Sequence, residues 1–92
     1  MIDESTHVRV PQHVMARRFD DELVVLDLAK GDYYGLDAVG SRLWHGLSDG
    51  RTIADVASEL VGEYDVDLAT LRLDLVALAS DLVARGLLEV AG

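Results

Sequence analysis

The sequence contains no cysteine. That excludes disulfides, thiol catalysis and Cys-based zinc sites, and it suits a reducing cytoplasm. No apolar run approaches the ~20 residues that a membrane span needs. The start, Met1-Ile2-Asp3-Glu4-Ser5-Thr6, is polar and acidic, unlike a signal or transit peptide. The cytoplasm is the expected location, with no membrane partner. Proline occurs once, at Pro11. Cations are scarce: 8 Lys and Arg stand against 17 Asp and Glu, a net charge of −9 with His neutral. A chain this acidic is repelled by phosphate backbones, so nucleic acid is not an expected partner. The excess charge attracts cationic partners or keeps the protein soluble.

Catalytic groupings are also missing. His7, His13 and His45 are isolated, with no carboxylate or second His at a metal-ligand spacing. Ser41, Ser48, Ser58 and Ser80 lack an elbow motif or a partnered His. The glycines form neither a phosphate loop nor a dinucleotide fingerprint. The sequence therefore predicts no enzyme, no cofactor and no metal site.

Half of the 92 residues are hydrophobic, enough for one small domain with a thin core. Residues 1–13 are expected to be a flexible N-terminal segment or an edge strand. Residues 1–7 read as a mobile tail, and Val8-Arg9-Val10 as an edge strand or coil. Val14 to Phe19 reads as the first firm strand, and Asp20-Asp21-Glu22 as a turn. Leu23 to Leu28 reads as a second strand. Val24, Leu26 and Leu28 share its more apolar face, which is expected to be buried, and Asp27 marks the less covered face. A turn through Lys30 and Gly31 leads to a third strand, Tyr33-Tyr34-Gly35-Leu36.

The pattern then changes to helices. Asp37 is placed to cap the first, with Val39, Leu43, Trp44 and Leu47 at helical spacing. Thr52 and Asp55 predict a capping box for the second, whose apolar stripe runs from Ile53 through Leu60 and Val61 to Tyr64. Asp67 caps the third, about 68 to 85, whose core line is Leu71, Leu75, Leu78 and Leu82. Ala79, Arg72, Val83 and Val76 follow around one flank of that helix; Thr70, Asp74 and Asp81 lie on the other. Leu73 is expected to be exposed. Arg85-Gly86 ends the helix, and Leu87-Leu88-Glu89-Val90 is expected to pack back on the core. The predicted class is α+β, winged-helix-like, with a three-stranded antiparallel sheet followed by three helices.

If the outer side of the third strand is unpaired, its backbone groups can accept an added strand from a peptide. Gly35 would let a visiting backbone come close. The third helix has more apolar surface than one core line needs: either a flank of it supplies side-chain pockets beside that edge, or the helix is buried on two sides in a compact domain.

The ordered set Val25-Leu26-Asp27-Leu28, Tyr33-Tyr34-Gly35-Leu36-Asp37 and Val39-Gly40-Ser41-Arg42-Leu43-Trp44 resembles the PqqD family. So do Asp49-Gly50-Arg51-Thr52, Tyr64-Asp65-Val66-Asp67, Asp74-Leu75 and Arg85-Gly86-Leu87-Leu88-Glu89. The family is also called the RiPP recognition element. The resemblance covers about residues 14 to 90 and implies a PqqD-like peptide-binding domain over that span. It implies a non-catalytic peptide chaperone that binds the leader of a ribosomally made precursor peptide and presents it to a modifying enzyme. That enzyme would be a leader peptidase and a cyclase in lasso-peptide biosynthesis, or a radical SAM enzyme in pyrroloquinoline quinone biosynthesis. The Tyr-Tyr-Gly-Leu pattern is closer to the discrete recognition proteins of lasso-peptide pathways.

By the same resemblance, the leader adds to the third strand and lies against the third helix. The implied peptide-binding residues are Tyr33, Tyr34, Gly35 and Leu36 on the strand, with Leu71, Arg72, Leu75, Val76 and Leu78 on the helix. Asp37 stands where the family often has Asn, and either residue caps a helix. Two other readings remain: a winged-helix DNA-binding regulator using the third helix, and a structural dimerisation module that pairs the strand edge with itself. The third helix has no basic stripe, because Asp74 and Asp81 accompany Arg72 and Arg85. Monomer and dimer are both compatible with the sequence.

Overall fold

The computed structural model describes residues 2–91. Met1, the first residue of the expected tail, lies outside them. The elements run β1 (Val8–Arg9), β2 (Val14–Phe19), β3 (Glu22–Asp27), β4 (Asp32–Leu36), α1 (Ala38–Ser48), α2 (Ile53–Leu60), α3 (Leu68–Ala84) and β5 (Glu89–Val90). β2, β3 and β4 form one antiparallel sheet in that order, and β1 pairs with β5 in a second, two-stranded one. The protein is α+β: a three-stranded antiparallel sheet and three helices, as its strand and helix periodicities predict.

The caps follow from short polar side chains at the helix starts. Asp37 Oδ1 accepts from the Gly40 amide at 2.8 Å, and Asp67 Oδ2 from the Thr70 amide at 3.0 Å. Thr52 and Asp55 exchange the two bonds of a capping box. Each satisfies backbone donors that helix geometry leaves without partners. At the far end of α3, Gly86 takes φ +77, the left-handed conformation that lets the chain turn away. Leu87 and Leu88 are then buried in the core.

One layer of helices covers one face of the sheet. Leu23 and Val25 of β3 point into the core with Leu36 of β4, against Leu43, Trp44 and Leu47 of α1. This corrects the face expected for β3. The buried face carries Leu23, Val25 and Asp27; Val24 and Leu26 are half-buried, and Leu28 is exposed in the turn after β3. The reason is chemical. Asp27 is a turn residue with an inward side chain: its Oδ1 accepts from the amides of Ala29 and Lys30, both at 3.0 Å. A carboxylate used this way tolerates burial, so it does not mark the wet face.

α1 and α2 approach closely through Gly46. A Cβ there would stand 2.4 Å from Val56 Cγ2, so only glycine fits this contact. α2 ends at Leu60, so Tyr64 falls beyond the helix rather than on its buried stripe. The N-terminal segment is packed, which corrects the mobile tail expected for it. Ile2 and Val8 are buried, and the Ala54 amide donates to the Glu4 carbonyl at 2.9 Å. Val8 and Arg9 pair with Val90 and Glu89, so this stretch is a strand rather than coil.

Candidate peptide-docking groove

β4 is a terminal strand of its sheet. It pairs with β3 on one side, Leu23 opposite Leu36 and Asp27 opposite Asp32, and no strand lies on its other side among the described residues. Its free backbone groups form a row that an extended chain can pair with. Gly35 is exposed, with nothing near the position a Cβ would take, so a neighbouring strand meets no side chain there.

The side chains of β4 alternate as the pleat requires. Tyr33 is 75% exposed on the outer face. Tyr34 points inward and bridges to α3: its hydroxyl donates to Asp81 Oδ2 at 3.0 Å. The Arg85 guanidinium lies over its ring, 4.8 Å from the centroid, and donates from Nε to the same Asp81 oxygen at 3.1 Å. The hydrogen bond to Asp81, then partial burial, raises the Tyr34 pKa, which keeps the hydroxyl a donor. The Arg85 hydrogen bond, followed by that from Tyr34, lowers the pKa of Asp81 and keeps it ionised. This trio fixes the distance between strand and helix.

β4 runs between two hollows. Near its start, a hollow of about 290 Å³ is bordered by Lys30, Asp32, Tyr33, Tyr34, Arg85 and Leu87. Beyond its end lies a cleft of about 280 Å³. Leu71, Leu75 and Leu78 of α3 form one wall of that cleft, and Asp74 stands with them. Asp37 and Val39 at the start of α1, with Tyr64 and Val66 of the α2–α3 loop, form the other side. An apolar cleft just past the end of a free strand edge can seat a peptide whose backbone pairs and whose side chains anchor.

Of the residues expected at the site, Tyr33, Tyr34, Gly35 and Leu36 lie on β4, with Leu36 buried in the core. Leu71, Leu75 and Leu78 border the cleft beside it. Arg72 and Val76 are not brought there. They lie on the opposite flank of α3 and border a separate hollow with Ile2, Asp3, Glu4 and Ser5. Arg72 pairs with Glu4 at 3.4 Å. The helix is apolar nearly all round, so periodicity does not choose the flank; packing of the N-terminal segment does. Sequence reasoning omitted Asp37, Val39, Tyr64, Val66, Asp74 and Asp81 from the site. Asp74 and Asp81 shared a flank in the periodicity, and that is the flank facing β4.

A family model described as coenzyme PQQ synthesis protein D (PqqD) matches residues 22–88. The chain belongs to the PqqD family. Two solved structures are similar to this PqqD-family chain. One is described as TbiB1 in complex with the TbiA(beta) leader peptide. It is 38% identical, covers 88% of this chain and 94% of its own, and superposes with a TM-score of 0.81. The other is a lasso peptide synthetase B1 complexed with the leader peptide. It is 29% identical, covers 89% of this chain and 96% of its own, with a TM-score of 0.84. No curated protein matches the chain.

Both arginines that a DNA-reading α3 would use in this PqqD-family chain are already paired. Arg72 meets Glu4 and Arg85 meets Asp81. The helix therefore presents little free positive charge to phosphates. No helix of the described residues is long and apolar enough to cross a membrane.

Proposed function

We propose that this protein is a non-catalytic peptide chaperone. It binds the leader of a ribosomally made precursor by adding it as a strand to β4, seated against α3, and presents it to a modifying enzyme. The observation that carries this reading is the free edge of β4, with the apolar cleft of Leu71, Leu75 and Leu78 lying just past its Leu36 end. Support comes from the 38% identical relative, whose structure holds a leader peptide. The binding surface is Tyr33 to Leu36 with Leu71, Leu75 and Leu78, joined by Asp37, Tyr64 and Asp74. It lies within residues 14–90, the span we assign as the leader-binding domain. The second relative's lasso peptide synthetase description favours a lasso pathway, with a leader peptidase and cyclase as the enzymes served. The protein would work in the cytoplasm, where precursors are made.

Backbone pairing plus two or three apolar anchors supports an affinity of about a micromolar or tighter. Calorimetric titration with the leader peptide of its precursor tests the function. The expected result is saturable binding of one leader per chain, with no change in the peptide's mass. No binding, or cleavage of the peptide by the protein alone, would contradict it.

A further inference from the structure

We infer that the cleft beyond the Leu36 end of β4 recognises a cationic side chain of the leader, Lys or Arg, next to an apolar anchor. The inference rests on the leader-binding reading and adds the charge chemistry of the ligand. The wall of the cleft is aliphatic, but its rim carries two carboxylates: Asp37 from the start of α1 and Asp74 from α3. Among the described residues no lysine or arginine borders it. The arginines in ion pairs take other carboxylates, namely Glu4, Glu59, Glu63, Asp81 and Glu89. Among the described residues no ion pair engages Asp37 or Asp74. Asp37 commits Oδ1 to the Gly40 amide and caps α1, which holds its carboxylate in place.

An aliphatic wall under two carboxylates that take no ion pair among the described residues fits one kind of side chain best. Lys and Arg lay their methylene stems along apolar surface and extend a charged head to the rim. The head takes a rim carboxylate as its charge-assisted hydrogen-bond partner, and an arginine can do so with two parallel bonds. A leader with Asp or Glu at this position is rejected by the same charges. The net charge of −9 adds a long-range pull on a cationic segment.

Random dodecapeptides displayed on phage, panned on the full chain and on a D37N/D74N variant, test this. Asn caps a helix about as well as Asp, and Asp74 is exposed, so the variant keeps the fold. A D20N/D21N variant removes the same charge from the exposed β2–β3 turn. The wild-type chain is expected to recover peptides with Lys or Arg beside an aliphatic or aromatic residue. Those peptides should bind D37N/D74N on the order of tenfold more weakly at low salt, with the gap closing as salt rises. They should bind D20N/D21N as they bind wild type. Equal recovery of cationic peptides by the wild type and D37N/D74N overturns the inference, and so does an equal loss with D20N/D21N. Recovered peptides that leave the β4 amides unshifted overturn the docking reading, and the inference with it.

Discussion

Replacing Leu78 with glutamate is expected to cut leader affinity about thirtyfold or more while the protein stays folded. Leu78 is half-buried at the edge of the core, on the α3 wall of the cleft. Losing its contact with a peptide anchor removes roughly 2 kcal/mol of apolar burial, and each 1.4 kcal/mol is tenfold in affinity. A carboxylate there would sit beside Asp74, and Glu is a good helix former. The thermal midpoint should therefore drop only as a surface-edge substitution allows, by about 1 kcal/mol of stability. Leu75 is a poor probe of the same wall. It is 2% exposed, and truncating it costs about 2–5 kcal/mol of stability by itself. Arg72→Glu is the matching control, because Arg72 lies on the far flank of α3 with Glu4. It should leave leader affinity unchanged. Calorimetry on both variants separates the flanks. An unaffected L78E or a crippled R72E would put the groove on the wrong side of the helix.

Asp27→Ala is expected to destabilise the protein by about 2–3 kcal/mol and to weaken leader binding as well. Asp27 is 1% exposed, yet it anchors the turn that launches β4. Its Oδ1 accepts from two backbone amides, and the Gly31 amide donates to its carbonyl at 2.8 Å. Alanine leaves the two side-chain-bound amides without that acceptor, and an unmade hydrogen bond on a partly buried group costs about 1–3 kcal/mol. Oδ2 of the same carboxylate is buried with no hydrogen-bond partner, and His13 Nε2 stands 4.0 Å away. Asp27→Asn keeps an acceptor for the turn and removes the buried charge, so it should cost much less than alanine. Thermal unfolding with leader titration reads both effects. For a domain this size, the alanine variant should melt roughly 10 °C or more below wild type. Equal midpoints for the alanine and asparagine variants would remove the turn-anchoring role.

The same residue shows where the sequence was hard to read. β3 carries aliphatics on both faces: Leu23 and Val25 on one, Val24 and Leu26 on the other. Alternation found the strand but did not choose its inner face. The one polar marker, Asp27, pointed the wrong way because its carboxylate serves local backbone donors. Caps were legible for the opposite reason. Asp37, Thr52 and Asp67 act within three residues of themselves, so spacing alone identifies them. α3 is intermediate. Its core line gave Leu71, Leu75 and Leu82 as buried, and Leu73 is 73% exposed as its position predicts. The choice of flank depended on contacts distant in sequence. Tyr34 reaches Asp81 on one side, while Ile2 and Glu4 occupy the other. The free edge of β4 was legible only as a conditional. It required that nothing after residue 36 return to pair with it, and among the described residues the one later strand, β5, pairs with β1 instead.

The proposed docking places the leader as a strand on the outer edge of β4, against the Leu71–Leu78 wall of α3. Its most direct test is a titration of the isotope-labelled protein with its own leader peptide, followed through backbone amides and side-chain methyls. The predicted result is shifts and exchange protection at the amides of residues 32–37, with methyl shifts at Leu71, Leu75 and Leu78. The methyls of Leu73 and Val76, on other faces of α3, should stay in place. Binding that shifts Val76 and the N-terminal segment, with the β4 amides still open to exchange, would contradict it.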